Sequence, residues 1–147
     1  MNSPVTTASV PMTSISLSAS SALVEAVRQA AEEIGFDAAT AVTDAGGHLK
    51  AFERTDGAPF LAAEVAVDKA WTAASFRLPT HVWNSYLADP QVAPLAHHPR
   101  LMAVGGGYPI IENGQVIGGL GISGGSYEQD QQAARAALGS LGFDIPS

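Results

Sequence analysis

The chain has 147 residues, seven basic and fourteen acidic for a formal charge of −7, with 46% hydrophobic and 14% charged residues. That length suits one domain with enough apolar matter for a packed core, and the acidic balance removes the phosphate attraction on which nucleic-acid binding depends. Cysteine is absent, which excludes disulfides, iron–sulfur ligation, thiolate catalysis and cysteine-type zinc sites.

Residues 1–13 form a polar stretch with Pro4 and Pro11, and they read as a flexible N-terminal extension without the basic start and apolar core of an export signal. No apolar run reaches membrane length, so a cytoplasmic protein with no membrane partner is expected. Residues 14–147 then form a single domain. Over residues 18–35, Leu23, Val27, Ala30, Ala31 and Ile34 recur at helical spacing, with Gly35 as the stop. Residues 38–43 and 49–53 are short β-type runs around Asp44-Ala45-Gly46-Gly47, which predicts a hairpin. Pro59 suits a first helical turn, and residues 60–76 follow without a breaker. Residues 79–99, with Pro79, Pro90, Pro94 and Pro99, read as loop with at most one short helix near 82–87. Asn113-Gly114 between apolar runs at 108–112 and 115–123 predicts a second hairpin, because both turn residues must accept positive φ. Ser126 and Gln129 have the spacing of a capping box that opens a terminal helix running to about 141. The fold class is therefore α+β, in the order α-β-β-α-(loop)-β-β-α. A profilin-like antiparallel sheet flanked by helices satisfies both hairpins and all three amphipathic stripes.

Several residues could carry chemistry. Lys69 projects from an otherwise apolar helical stripe, so its ammonium must either meet an anion or reach out to water. Glu64 and Asp68 stand at i,i+4 on the next face, repelling unless a cation intervenes, for which Arg54 and Lys69 are the candidates. Gly105-Gly106-Gly107 entering a strand at Tyr108 is either a set of backbone donors for an anion or an ordinary bulged loop. Gly119-Leu120-Gly121-Ile122-Ser123-Gly124 matches the dinucleotide fingerprint by letter, but its strand is half of a hairpin and no returning parallel strand follows. Its glycines read instead as room for a helix or a second subunit to press onto the strand. His97 and His98 are adjacent and point apart on extended chain, and no histidine has a recognised ligand spacing, so no metal site is expected. Each of His48, His81, His97 and His98 could serve as an axial ligand or a general base, and Asp44, Asp56 and Asp68 could converge in space. The hydrolase elbow, zinc-protease and phosphate-loop motifs are absent.

The segments 42–49 (VTDAGGHL), 54–58 (RTDGA), 68–74 (DKAWTAA), 106–110 (GGYPI), 118–124 (GGLGISG) and Gln129-Asp130 closely resemble, in order, the motifs of GlcG- and HbpS-like proteins, over nearly all of 14–142. The resemblance implies a profilin-like sheet, a homo-oligomer, and a role in haem binding or haem degradation; one branch is fused to corrinoid adenosyltransferases of the PduO type. The chain departs from the family pattern in lacking an export signal, in its His- and Pro-rich segment 89–100, and in carrying Thr55 where methionine is usual.

Two functional readings follow. In the first, a small-molecule ligand such as haem lies over the glycine-rich hairpin, contacted by Arg54, Thr72, Gly105, Gly106, Gly107 and Tyr108, with Lys69 or Arg54 pairing a carboxylate. In the second, the chain is a cofactor-independent isomerase, lyase or hydrolase. Lys69 and the Gly105–Gly107 donors then stabilise negative charge while Asp44, His48 or His98 moves a proton. A third, a scaffold subunit, needs only self-packing faces.

Overall fold

The computed structural model describes residues 6–147. The first five residues of the expected extension lie outside the described residues, and 6–13 run as exposed coil. The ordered body opens at Ser14, whose Oγ accepts from the Ala45 N–H at 3.0 Å, and Ile15, which donates to the Ile117 carbonyl and enters the core.

Helix α1 spans Leu17–Ile34, capped by Ser16 Oγ and ended by Gly35 at φ 100°, where the left-handed region favours glycine. Strands β1 (Ala39–Asp44) and β2 (Leu49–Arg54) form the first hairpin, and α2 (Phe60–Phe76) follows Pro59. A short α3 (Trp83–Leu87) lies in the proline-rich segment. Strands β3 (Gly107–Glu112) and β4 (Gln115–Ser123) form the second hairpin, turning on Asn113 and Gly114 at φ 51° and 76°. Helix α4 (Tyr127–Ser140) starts at a capping box in which Ser126 and Gln129 satisfy each other's backbone donors. The sheet is antiparallel throughout, ordered β2-β1-β4-β3, so the α+β, profilin-like arrangement expected from the pattern is the one observed. The proline-rich segment is more structured than expected. Besides α3 it holds 3₁₀ turns at Thr80–Val82 and Ala93–His97, since proline is compatible with the first residues of a helical turn. Among the described residues no helix is long and apolar enough to cross a membrane.

Directly paired residues share a face of a sheet, and the register sorts the side chains into two layers. Ala39, Ala41, Gly119, Gly121, Gly107 and Pro109 face α2. Val42, Leu120, Ile122, Tyr108 and Ile110 face α1 and α4 and form the main core with Leu23, Val27 and Leu138. Helix α2 lies very close to the sheet: a Cβ at Gly119 or Gly121 would collide with the Ala70 or Ala66 carbonyl. That is the structural reason for the false dinucleotide fingerprint. A β-bulge between Val42 and Thr43 leaves Lys50 without a partner, and this shift turns Leu49 to the same face as Phe52.

Candidate functional site

Lys69 is 1% exposed, its side chain enclosed by protein. Its Nζ donates to the Ile122 carbonyl at 2.8 Å and to Asp130 Oδ2 at 3.0 Å, while Asp130 Oδ1 accepts from the Gly125 N–H at 3.1 Å. The ammonium therefore passes the end of the sheet and ties α2 to α4. Burial pulls the lysine below its usual pKa and pushes the Asp130 carboxyl above its own, each opposed by the partner's charge. Of the two outcomes expected for the ammonium, it meets an anion inside the protein and does not reach water. Gly105–Gly107 owe their identity to this crossing. A Cβ at Gly106 would stand 2.8 Å from Lys69 Nζ, one at Gly107 2.7 Å from the Lys69 carbonyl, and one at Gly105 2.8 Å from Gln131 Cδ. The Gly107 N–H donates to Thr80 Oγ1 at 2.8 Å, so it is not free for an anion.

The other expected residues lie elsewhere. Thr72 is buried and pins the segment after α3, its Oγ1 donating to the Arg100 carbonyl at 3.1 Å and accepting from the Met102 N–H at 3.0 Å. Arg54 Nη1 donates to the Ala58 carbonyl at 2.7 Å, which orders the turn before α2. Asp68 meets neither Arg54 nor Lys69; Arg100 Nε pairs with it at 3.1 Å, and the Arg100 guanidinium lies 4.5 Å from the Trp71 ring centre. His98 stacks on Trp71 with ring centres 5.7 Å apart. Asp44, Asp56 and Asp68 do not converge: among the described residues no three of His, Cys, Asp and Glu are placed to hold a metal ion.

Asp44 and His48 do come together. Asp44 Oδ1 accepts from the backbone N–H groups of Gly46 at 2.9 Å and His48 at 3.0 Å, and lies 3.3 Å from His48 Nδ1. Desolvation raises the Asp44 carboxyl, but those two donors and the imidazole outweigh it and hold its pKa below the ordinary value. With Nδ1 directed at the carboxylate, Nε2 faces outward on a side chain 83% exposed. His98 is set the opposite way. Its Nδ1 accepts from the Arg100 N–H at 3.1 Å, so the neutral ring carries its proton on Nε2 and has no lone pair to offer there. One residue beyond His48, Leu49 enters a groove of about 540 Å³ between β2 and α2, shared with Phe52, Ala63, Val67 and Pro99. Leu49 and Phe52 remain 53% and 41% exposed.

Asp130, Trp71 and Arg100 were given no role from the sequence. The available signal for Asp130 was the buried cation itself, which requires an acid somewhere in the fold.

The model for "Haem degrading protein HbpS-like" matches residues 15–139. An uncharacterised 15.0 kDa protein from the dhaT-dhaS intergenic region of Citrobacter freundii is 35% identical, over 84% of this chain and 89% of its own length. The corrinoid adenosyltransferase PduO of Citrobacter freundii is 34% identical over 89% of this chain, which spans only 40% of that longer protein. The crystal structure of a PduOC:heme complex superposes with a TM-score of 0.83 at 29% identity, covering 91% of this chain and 99% of that one.

Proposed function

The chain belongs to the HbpS-like family, and on that premise we propose that it binds a haem-class tetrapyrrole over the groove between β2 and α2, with His48 as the axial imidazole. The observation that carries this reading is the Asp44–His48 pair, which directly precedes Leu49 of that groove in the chain. A carboxylate 3.3 Å from Nδ1 favours the proton on that nitrogen and leaves Nε2 the lone pair, the usual support for a histidine that ligates a metal. The apolar wall of exposed Leu49, Phe52 and Pro99 with half-buried Val67, bordered by Glu64 and Asp68, suits a flat macrocycle. Arg100, bonded to Asp68 through Nε only, keeps its other edge for a propionate. The bound group would supply an iron centre, which the chain's own residues do not provide. A haem complex of a relative that superposes over most of the chain supports the ligand class. An exposed imidazole next to an apolar wall is the donor and surface that such a group requires.

A cofactor-independent reaction built on Lys69 draws no support, because its ammonium and the Gly107 donor are already bonded within the protein.

Stoichiometric haemin should give a Soret band in the wild type and in His98→Ala, and His48→Ala should lose or shift it. Asp44→Asn should weaken binding by about 10-fold or more, the usual effect of removing a carboxylate behind a ligating histidine. A Soret spectrum unchanged in His48→Ala would remove this assignment, and none in the wild type would remove the ligand.

A further inference from the structure

Glu128, Gln131, Gln132 and Arg135 recur at helical spacing along α4, so they project to one side. All four line a cleft of about 450 Å³ whose opposite wall includes His81 and Tyr108. A second cleft of about 360 Å³ shares His81 and Gln131 with it and adds Asn84, Gly105 and Tyr127. Both lie apart from the groove between β2 and α2.

Two observations separate this place from a merely solvated helix face. His81 Nδ1 is buried without a hydrogen-bond partner among the described residues, although buried polar atoms are nearly always paired. Arg135, like Arg54 and Arg77, has no ion-pair partner among the described residues, and it alone of the three lines this cleft. Burial and the Arg135 charge together hold the His81 imidazole below its ordinary pKa, which reports that the cation reaches into the cleft. The other titratable groups facing it are Glu128, Tyr108 and Tyr127, and Ser147, which carries the backbone carboxylate, also lines it.

The acid and the base of the stripe stand two helical turns apart, roughly 10 Å along the axis, with two carboxamides between them. We propose that this cleft is a binding site for an extended small organic acid bearing an ammonium or hydroxyl donor at its far end. The carboxylate pairs with Arg135, Gln131 and Gln132 bond the middle of the molecule, and Glu128 accepts from the distal donor. A short two-carbon acid does not span the stripe.

The probe is ε-aminocaproate, added at millimolar concentration to the intact chain and followed by NMR of the His81 imidazole and the glutamine side chains. Saturable shifts are expected, with the His81 pKa rising as the carboxylate screens Arg135. Hexanoate should bind several-fold more weakly and n-hexylamine more weakly still. Arg135→Gln, a change on an exposed side chain, should raise the His81 pKa in the free protein and abolish the response. It should leave the haemin spectrum unchanged, so this site and the tetrapyrrole groove fail independently. No saturable shift, or the same shifts in Arg135→Gln, would overturn the site. Equal binding of hexanoate and ε-aminocaproate would overturn the role given to Glu128.

Discussion

Along β4, Leu120 and Ile122 point toward α1 and α4, while Gly119 and Gly121, one residue away in each case, point toward α2. One side of the sheet is thus held by large interdigitating side chains and the other by backbone brought almost into contact with backbone. The large side chains gain stability by removing apolar area from water. The α2 side buries little side chain per residue and gains instead from close dispersion contacts between main chains. Its tolerance for change should be correspondingly smaller: the large-residue face can shrink by a methyl and relax, but the Ala/Gly face has no room to grow.

The two layers are joined where Lys69 leaves α2 and meets Asp130 on α4, and the largest expected effect lies there. Asp130→Asn leaves a buried ammonium with only a carbonyl and should cost about 3–5 kcal/mol, the usual range when one partner of a buried pair is lost. Lys69→Met strands the carboxylate in the same way. The double variant Lys69→Met/Asp130→Leu should recover most of the loss, because no unpaired charge remains and the volume stays filled. Urea unfolding of the three proteins gives the coupling directly. If the single losses add in the double variant, the pair does not act as a unit and the two layers are not joined through it.

The next effect sharpens the contrast between the faces. Gly121→Ala adds a single methyl against the Ala66 carbonyl and should cost about 2–3 kcal/mol through backbone displacement. Ile122→Val removes a single methyl from the other face and should cost about 1 kcal/mol. Equal losses in urea unfolding would mean that α2 can shift away from the sheet, and the distinction between the faces would fall.

The elements of both layers were legible because their signals are local. Asn113-Gly114, the Ser126/Gln129 box and the apolar stripe of α1 each act within a few residues of chain. The small residues at 119 and 121 also announced a close approach, though not by which helix. What stayed hidden depends on distances in space. Lys69 stood out as a cation in an apolar stripe, but its acid lies 61 residues on, inside a motif that looked like an ordinary helix start. Asp68 and Glu64 looked like a repulsive pair because Arg100, the cation for Asp68, lies 32 residues away in the proline-rich segment. Gly105–Gly107 looked like an anion cradle because a run of glycines is the same string whether it releases donors or makes room for a neighbouring side chain. What separates His48 from His98 as metal ligands is a single close neighbour at each Nδ1, the Asp44 carboxylate and the Arg100 N–H, which no spacing rule encodes.

The smallest expected effect sets two carboxylates of opposite environment against each other. Asp44 sits at an exposed turn, and its folded pKa lies below the ordinary 3.8. Its stabilisation is therefore fully present above that value and fades as pH falls through the folded pKa, because the unfolded chain binds the proton first. Asp130 is buried, and its folded pKa lies above 3.8. Between 3.8 and that raised value the folded state binds the proton first, so acidification across this window favours folding at Asp130. Measured by urea unfolding across the acid range, the stability difference between wild type and Asp44→Asn should shrink as pH drops below 3.8. The difference between wild type and Asp130→Asn should instead grow as pH falls toward 3.8 from above. Two difference curves of the same slope would show that burial does not control Asp130, and that the Lys69 charge alone sets its titration.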